Sequence, residues 1–593
     1  MPLAHDFISR HWKKLLRVRE KLHFNEETFH LLLAGGVGVI GGLVNVFFYS
    51  CIDWVQKVVF GRPGDLAEMA EVMDRWQRFA IPTLGGLAAG LVLYWGLRIV
   101  GKQGSSNLLE VVVAGDGRLP FRSALIRGVS SLLSIGTGAS IGREGAITQL
   151  TAMLASKWGQ VMHWQPYRLR LLVACGAASG MAAAYNAPVA GAVFAAQIVL
   201  GNFSMNLFAP LVFASVISSM VSRNFFGIKP FYEVPAFNFT SVAQLPWFLF
   251  LGILAGALGV VFLKMLRHFE ETFQAIRLPL YARLGAGGLL LGIIALGFPE
   301  VWGNGYSVTN RILHHQFALQ LLFGIFVAKF LATLISIGSG AVGGVFTPTL
   351  FLGAALGSLF GMVLHKAHLG MQLPTGAFAL VGMGGMLAAT TRSPLLAMIM
   401  IFEISLNYSL MPALMLASVI ATLIARKFHP QSIYTEPLRL KGLEVTEDSV
   451  REGAATEQTV GDLMRASVPP LLEATRLREI ADRFLTSPNN FLPVVDEQQR
   501  LVGIVSLHDL KEYFGAGQEL SAVIAYDVMR PPPPCLTPSQ RLLDALPILL
   551  ASEQRNVPVV NTFKENRLVG AVLRAEALGF LSEAIAAKTN KAR

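Results

Sequence analysis

Apolar residues fall in long runs through the first three quarters of the chain and in short alternating stretches after it. The first long run is Leu31 to Tyr49. Others cover Phe79 to Ile99, Leu169 to Ala184, Leu207 to Met220, Trp247 to Leu263, Leu284 to Gly297, Leu321 to Ile337, Gly344 to Val363, Phe378 to Ala389 and Leu414 to Ala425. A helix needs about 20 apolar residues to cross the hydrocarbon, so the pattern predicts a polytopic membrane protein. Several runs are shorter, or are cut by Gly and Pro. SIGTGASIGREGAITQL from Ser134 and SIGSGAVGGVFTPTLFLG from Ser336 are two such cuts. Backbone left unpaired is costly in lipid and survives where protein covers it or a polar site uses it. These cuts therefore predict broken helices with N-termini near the membrane midplane, where free N–H groups attract anions.

Both cuts read S-I-G-x-G-A followed by a Gly-rich segment, about 200 residues apart. That predicts two halves related as inverted repeats, spanning about 27–225 and 240–438 of a membrane domain over 27–440. Residues 1–26 read as a polar N-terminal segment and 441–457 as a charged linker. Beyond it, FLPVVDEQQRLVGIVSLHDL predicts strand, turn, strand, helix, and NVPVVNTFKENRLVGAVLRAEAL repeats that order some seventy residues later. Two small α/β units are expected, at 458–515 and 524–587, with Pro531 to Pro534 as a stiff extended spacer.

Composition sharpens this picture. Charged residues make up 15% of the 593 and hydrophobic ones 53%, against about 25% charge in a soluble domain. The 57 glycines suit closely packed transmembrane helices. The net charge of +11 does not argue for nucleic acid. The basic residues Arg10, Lys13, Lys14, Arg17, Arg19 and Lys21 precede the first apolar run, the pattern that keeps an N-terminus in the cytoplasm. The opening residues show no cleavage site, and no signal peptide is expected. Cys51, Cys175 and Cys535 are far apart and no ligand spacing occurs, so neither a metal nor a disulfide framework is expected.

The strongest chemical signal is Arg143 and Glu144 inside an apolar stretch, because idle intramembrane charge is expensive. Gly104 to Ser106 and Gly343 to Pro348 are further anion-friendly segments, offering hydroxyls and backbone N–H groups with little bulk. A membrane enzyme would need a nucleophile and base or a metal cluster, and none stands out. A sensor or scaffold would not need buried charge and broken helices.

On these residues the sequence resembles the CLC family of chloride channels and chloride/proton antiporters, over roughly Glu27 to Tyr434. The family's GREGP appears as GREGA, with Gly142, Arg143, Glu144, Gly145 and Ala146. Its GxFxP is matched by Gly344, Val345, Phe346, Thr347 and Pro348. Its GSGIP appears as GSSNL around Ser105, and its pore tyrosine maps to Tyr434. YNAPVAGAVFAAQ and TRSPLLAMIMIFEISLNY resemble its signature helices. The resemblance implies an all-α polytopic CLC fold with inverted-topology repeats and broken helices. It also implies a homodimer with one anion pathway per subunit. Chloride would be held by Ser105, Tyr434 and the N–H groups of Val345 and Phe346, and Glu144 would be the gate. A carboxylate beside an anion site competes with anions, and protonation frees the site. The plain alternative for Glu144 is a static pair with Arg143.

The departures carry information. Ala146 replaces a proline that would pre-organise a helix start. Asn107 stands where a hydrophobic residue is usual, and Ser106 replaces a glycine. Ile198 occupies the position where antiporters of the family carry the glutamate that passes protons from the cytoplasmic side; its neighbour maps to Gln197, which cannot titrate either. Some family antiporters lack that glutamate too. The expectation is therefore channel-like or weakly proton-coupled chloride transport, with chloride/proton antiport as the rival and a fluoride carrier as a distant one. Glu403 matches a carboxylate expected at a helix end. The tail resembles a cytoplasmic tandem pair of CBS domains. Ser506 and Asp509 match positions that hold an adenine nucleotide in some members, whereas Leu573 and Glu576 make the second site degenerate. The tail is expected to bind one nucleotide or none, and no other cofactor is required. A bacterial inner membrane is expected, with N-terminus and tail cytoplasmic.

Overall fold

The computed structural model describes residues 26–101, 107–113, 116–164, 166–201, 203–227, 232–235, 237, 242–369, 373–441, 459–487, 489–510 and 523–579. Gly104, Ser105 and Ser106 lie outside them. The chain divides into two compact units, Met1–Leu443 and Glu444–Arg593.

The helices of the first unit form two matching series. The first comprises α1 (Glu26–Phe60), α2 (Leu66–Val72), α3 (Arg75–Val100), α4 (Leu108–Val113), α5 (Phe121–Gly136), α6 (Glu144–Val161), α7 (Pro166–Tyr185), α8 (Pro188–Phe194) with a π-helical continuation over Ala195–Leu200, and α9 (Met205–Phe226). The second comprises α10 (Leu245–Ala275), α11 (Leu280–Gly297), α12 (Tyr306–Leu313), α13 (Leu319–Gly338), α14 (Phe346–Lys366), α15 (Thr375–Thr391), α16 (Pro394–Ser405) and α17 (Met411–Phe428), and α18 (Glu436–Arg439) follows. Eight of the described helices are long and apolar enough to cross a membrane. Every helix predicted from an apolar run forms, and most extend past it. α10 continues for three turns beyond Leu263 through KMLRHFEETFQA, because a helix can leave the hydrocarbon and keep its backbone bonds with polar side chains in water.

The two series are related by a local two-fold, which shows in reciprocal contacts between residues 202 positions apart. Gly142 and Gly344 exchange two N–H···O bonds, each 2.7 Å, in an antiparallel bridge. α3 crosses α11 backbone to backbone. A Cβ on Gly86 would strike the Leu284 carbonyl, and one on Gly288 the Pro82 carbonyl; Gly90 meets Tyr281 as Gly292 meets Phe79. Small residues let helices approach this closely, which is how they gain packing energy where lipid offers no hydrophobic drive. Polar pairs add to it: Asn45 of α1 donates to the Ala183 carbonyl and to Ser222 Oγ at 3.1 and 2.9 Å, tying α1 to α7 and α9.

The second unit carries two small sheets. β1 (Leu471–Leu472) pairs parallel with β2 (Phe491–Val495), and β2 pairs antiparallel with β3 (Leu501–Ser506). β4 (Asn556–Val560) pairs antiparallel with β5 (Leu568–Leu573). Helices α19 (Val460–Leu463), α20 (Leu477–Thr486), α21 (Ala525–Val528) and α22 (Leu542–Ala551) cover them. The segments that open the two repeats are exchanged. Arg465 bridges to Ala571 of β5, and Val460 is buried in the core around β4 and β5. Ile504 of β3 bridges to Arg530, and Ala525 and Val528 are buried in the core around β2 and β3. Pro531 to Pro534 lead from the Arg530 bridge to Leu536, which bridges in parallel to Val559 of β4.

Candidate anion pathway

Each cut in the helical pattern is a helix end, a short extended stretch and a new helix start. α5 stops at Gly136 and α13 at Gly338. Gly138 and Gly340 then take φ of 105°, a conformation that a Cβ disfavours, and turn the chain away. The Ser140 N–H donates to Ser336 Oγ at 3.2 Å, and the Ser140 and Thr333 hydroxyls lie 3.1 Å apart. With the Gly142–Gly344 bridge, these bonds hold the heads of α6 and α14 against each other. Both helix starts bring N–H groups without intrahelical partners and the positive end of a dipole.

Glu144 is the first residue of α6 and is 2% exposed. Its carboxylate sits between the two heads. Oε1 accepts the Thr347 N–H at 3.1 Å, and Oε2 accepts the Thr347 hydroxyl at 2.9 Å. The seat fits a carboxylate because its walls are glycine. A Cβ on Gly142 or Gly344 would occupy the space of the carboxylate oxygens, and one on Gly145 would meet the Gly344 backbone. In the first turn of α14, Pro348 has no N–H to leave orphaned and Thr347 spends its own on Glu144. The N–H groups of Val345 and Phe346 remain at the head of that helix. Ala146 holds the matching place in α6, which forms without the proline.

Arg143, beside Glu144 in the chain, also meets aromatic rings. Its guanidinium lies over the Tyr49 ring at 3.8 Å and the Tyr306 ring at 4.9 Å, so the buried cation is held by aromatic faces. Tyr49 and Tyr306 lie 94 and 163 positions away in the chain, and nothing in the sequence marks them. Tyr185 and Thr347 were also missed. The Tyr185 and Thr347 hydroxyls are 2.7 Å apart, and the Tyr185 ring packs on Phe346 with centroids 5.3 Å apart. The signal for Thr347 was visible: a hydroxyl residue at an open position of GxFxP, inside an apolar helix start.

A cavity of about 1210 Å³ begins at this seat. Glu144, Gly145, Gly344, Val345 and Phe346 line its inner end together with Tyr434, whose ring meets Phe194 edge-on at 5.7 Å. Ile198 lies on its wall. Farther out it is lined by Arg98, Arg127, Arg267 and Lys441, and by Glu110, Glu270 and Glu436. Basic side chains at a mouth with low-dielectric walls raise the local anion concentration. The structure thus gathers Gly142, Arg143, Glu144, Gly145, Gly344, Val345, Phe346, Pro348 and Tyr434 in one place; Ser105 and Ser106 lie outside the described residues.

Gln197 and Glu403 occupy matching places in the two halves. The Glu403 carboxylate accepts the N–H groups of Val189 and Ala190 at 2.9 and 2.7 Å, capping the start of α8. Gln197 accepts the hydroxyl of Ser393, the residue before α16. Each side chain holds the start of its counterpart's helix. Among the described residues no cluster of His, Cys, Asp and Glu could hold a metal ion. In the tail, Ser506 Oγ accepts the His508 N–H at 3.1 Å and Asp509 is ion-paired with Arg530. The matching acid Glu576 is paired with Arg465 at 2.8 Å. In both units the acid therefore meets an arginine from the exchanged strand.

Comparison with known proteins agrees with this geometry. Residues 84–426 match the family described as Voltage gated chloride channel, and residues 460–516 and 525–583 match the CBS domain. A protein of Ralstonia nicotianae named "Putative chloride channel protein ClcB-like" is 42% identical over 412 residues, covering 69% of this chain and 96% of its own. The "Voltage-gated ClC-type chloride channel ClcB" of Escherichia coli K12 is 35% identical over 425 residues, covering 69% and 98%. Among solved structures, a slow cyanobacterial Cl−/H+ antiporter superposes with a TM-score of 0.61 at 25% identity over 70% of this chain and 98% of its own. A eukaryotic CLC transporter superposes with a TM-score of 0.58 at 18% identity over 92% and 97%. The chain belongs to the CLC family of voltage-gated chloride channels and carries a C-terminal pair of CBS domains.

Proposed function

We propose that the chain conducts chloride across a membrane through one pathway per subunit, that Glu144 gates that pathway, and that conduction is passive or only weakly coupled to protons. The observation that carries this reading is the seat of Glu144. A carboxylate occupies a glycine-walled space between two helix heads, at the inner end of a large cavity. That space offers donors to any small anion, so the carboxylate and chloride compete for it, and neutralising Glu144 removes the competitor. Ser105, Tyr434 and the N–H groups of Val345 and Phe346 are the proposed ligands of the ion behind the gate. Gly142, Gly145, Gly344, Ser106, Arg143 and Pro348 shape their surroundings.

The weak coupling rests on Ile198. It lies on the cavity wall at the position where many antiporters of the family carry the proton-passing glutamate, and neither it nor Gln197 titrates. Antiport is the second reading. It is favoured by the likeness to a Cl−/H+ antiporter and by Glu110, Glu270 and Glu436 on the same cavity. Chloride efflux from liposomes holding the purified protein, with external pH recorded together, separates the two. Chloride movement without protons is the expected result. A fixed stoichiometric proton counterflow would overturn the channel reading and require a route around Ile198.

A homodimer in a bacterial inner membrane, with the N-terminus and tail in the cytoplasm, is the proposed setting. Membrane-domain and CBS limits at 27–440, 458–515 and 524–587 complete it. An adenine nucleotide at Ser506 and Asp509 would have to displace Arg530 from Asp509. The tail therefore reads first as a module closed by its own ion pairs.

A further inference from the structure

We propose that Thr347 is the latch of the Glu144 gate, and that its hydroxyl, backed by Tyr185, sets how readily protons open the pathway. The proposal rests on Glu144 being the gate, and it adds what decides the gate's set-point.

The argument starts from hydrogen-bond inventory. An ionised carboxylate only accepts, whereas a threonine hydroxyl has one proton and two lone pairs. Thr347 Oγ1 is 2.9 Å from Glu144 Oε2 and 2.7 Å from the Tyr185 hydroxyl. With Glu144 charged, the Thr347 proton must point at the carboxylate. Tyr185 must then donate to the Thr347 oxygen. The result is a polarised chain, Tyr185 O–H to Thr347 O–H to Glu144, in which each bond strengthens the next. Both residues are buried, with Thr347 1% and Tyr185 4% exposed, so water does not compete.

The same residue also gives its N–H to Oε1, but any residue at that position except proline can do so. The hydroxyl is what this chain adds. It sits at an open position of GxFxP, on α14 in the second half, whereas Tyr185 ends α7 in the first half. The latch therefore ties the gate to both halves. Protonation of Glu144 turns one carboxylate oxygen from acceptor to donor, and the chain loses its match or must reverse. The hydroxyl favours the charged, seated form, and the pathway should open at lower pH than it would without it. The other charged or titratable groups around Glu144 are Arg143 beside it and the phenols of Tyr49, Tyr232, Tyr306 and Tyr434. All of them stay in place in the variants below.

The test is chloride flux in liposomes as a function of pH for Thr347→Val, Thr347→Ser and Tyr185→Phe, each alone and with Glu144→Gln. Thr347→Val keeps the shape and loses the hydroxyl. Its activation midpoint should move to higher pH by about 1 unit, a tenfold change in proton affinity. Tyr185→Phe should move it the same way by about half as much, and Thr347→Ser should stay at the wild-type midpoint. With Glu144→Gln, flux should lose its pH dependence and the other substitutions should no longer shift anything. An unmoved midpoint in Thr347→Val, with Glu144→Gln pH-independent, overturns the latch and leaves the gate standing. Should Thr347→Val fail to fold, an unmoved midpoint in Tyr185→Phe does the same. Persisting pH dependence in Glu144→Gln overturns the gate reading itself.

Discussion

The two halves of the membrane unit share one backbone plan and differ in the side chains placed on it. Gly142 and Gly344 match, as do Gly138 and Gly340 with the same φ of 105°. At the next positions the halves part. Glu144 begins α6 and Phe346 begins α14; Arg127 of α5 lines the cavity, whereas the matching Lys329 of α13 is fully buried and donates to the Val301 and Gly303 carbonyls at 2.9 and 2.8 Å. Gln197 in one half answers Glu403 in the other. Positions whose job is geometric are kept twice. The carboxylates at these positions, Glu144 and Glu403, each appear in one half only, and the cation kept in both, Arg127 and Lys329, is put to different uses.

Paired substitutions probe that division. The largest effect on flux is expected from Gly142→Ala, whose methyl group would enter the space of the Glu144 carboxylate. Flux at neutral pH should rise about tenfold, the ratio set by ~1.4 kcal/mol of lost seat stability, and Gly344→Ala should act in the same direction. If only one of the pair raises flux in a pH-resolved liposome assay, the seat is not shared between the halves. Next comes Lys329→Met, which strands two buried carbonyls and should cost ~2–3 kcal/mol of stability, read as a lowered melting temperature in detergent. Arg127→Met should cost less than ~1 kcal/mol and instead lower flux a few-fold at low salt, with the loss shrinking as salt screens the mouth. Swapped phenotypes would break the assignment of one cation to structure and the other to the anion. The smallest effect belongs to the helix-start pair. Glu403→Gln gives up the charge that faces two N–H groups and a helix dipole and should cost ~1 kcal/mol. Gln197→Leu should cost less, since it frees one hydroxyl that can turn elsewhere. Equal losses in thermal unfolding would mean that charge at this cap does not matter.

Much of this architecture is legible in the sequence because membranes impose one-dimensional constraints. Long apolar runs, SIGTG matched by SIGSG, and Glu144 inside an apolar stretch all point to broken helices around an anion site. Several helices escaped the run-based reading, α5, α8 and α16 among them. α5 carries Arg122, Arg127 and four serines, and α8 and α16 are too short to span; protein covers much of their surface, so they need no lipid-facing apolar stretch. The surroundings of Glu144 were less legible for another reason. Tyr49, Tyr185 and Tyr306 reach Arg143 and Thr347 only through the fold, and a tyrosine in a helix carries no mark of which neighbour its hydroxyl will meet. The exchange of opening strands in the tail was invisible too, because Arg465 and Arg530 each pair with a sheet on the far side of the sequence repeat.

The glycine seam between α3 and α11 also limits how this molecule can work. Carbonyls of one helix fill the hollows of the other at Gly86, Gly90, Gly288 and Gly292, with no side chains between them to act as bearings. A slide of one residue, ~1.5 Å along the axis, would drive backbone into backbone at all four contacts. Close-packed interfaces of this kind resist continuous deformation. The seam is a weld: α3 and α11 have no room to slide, so any motion of one helix has to carry the other with it.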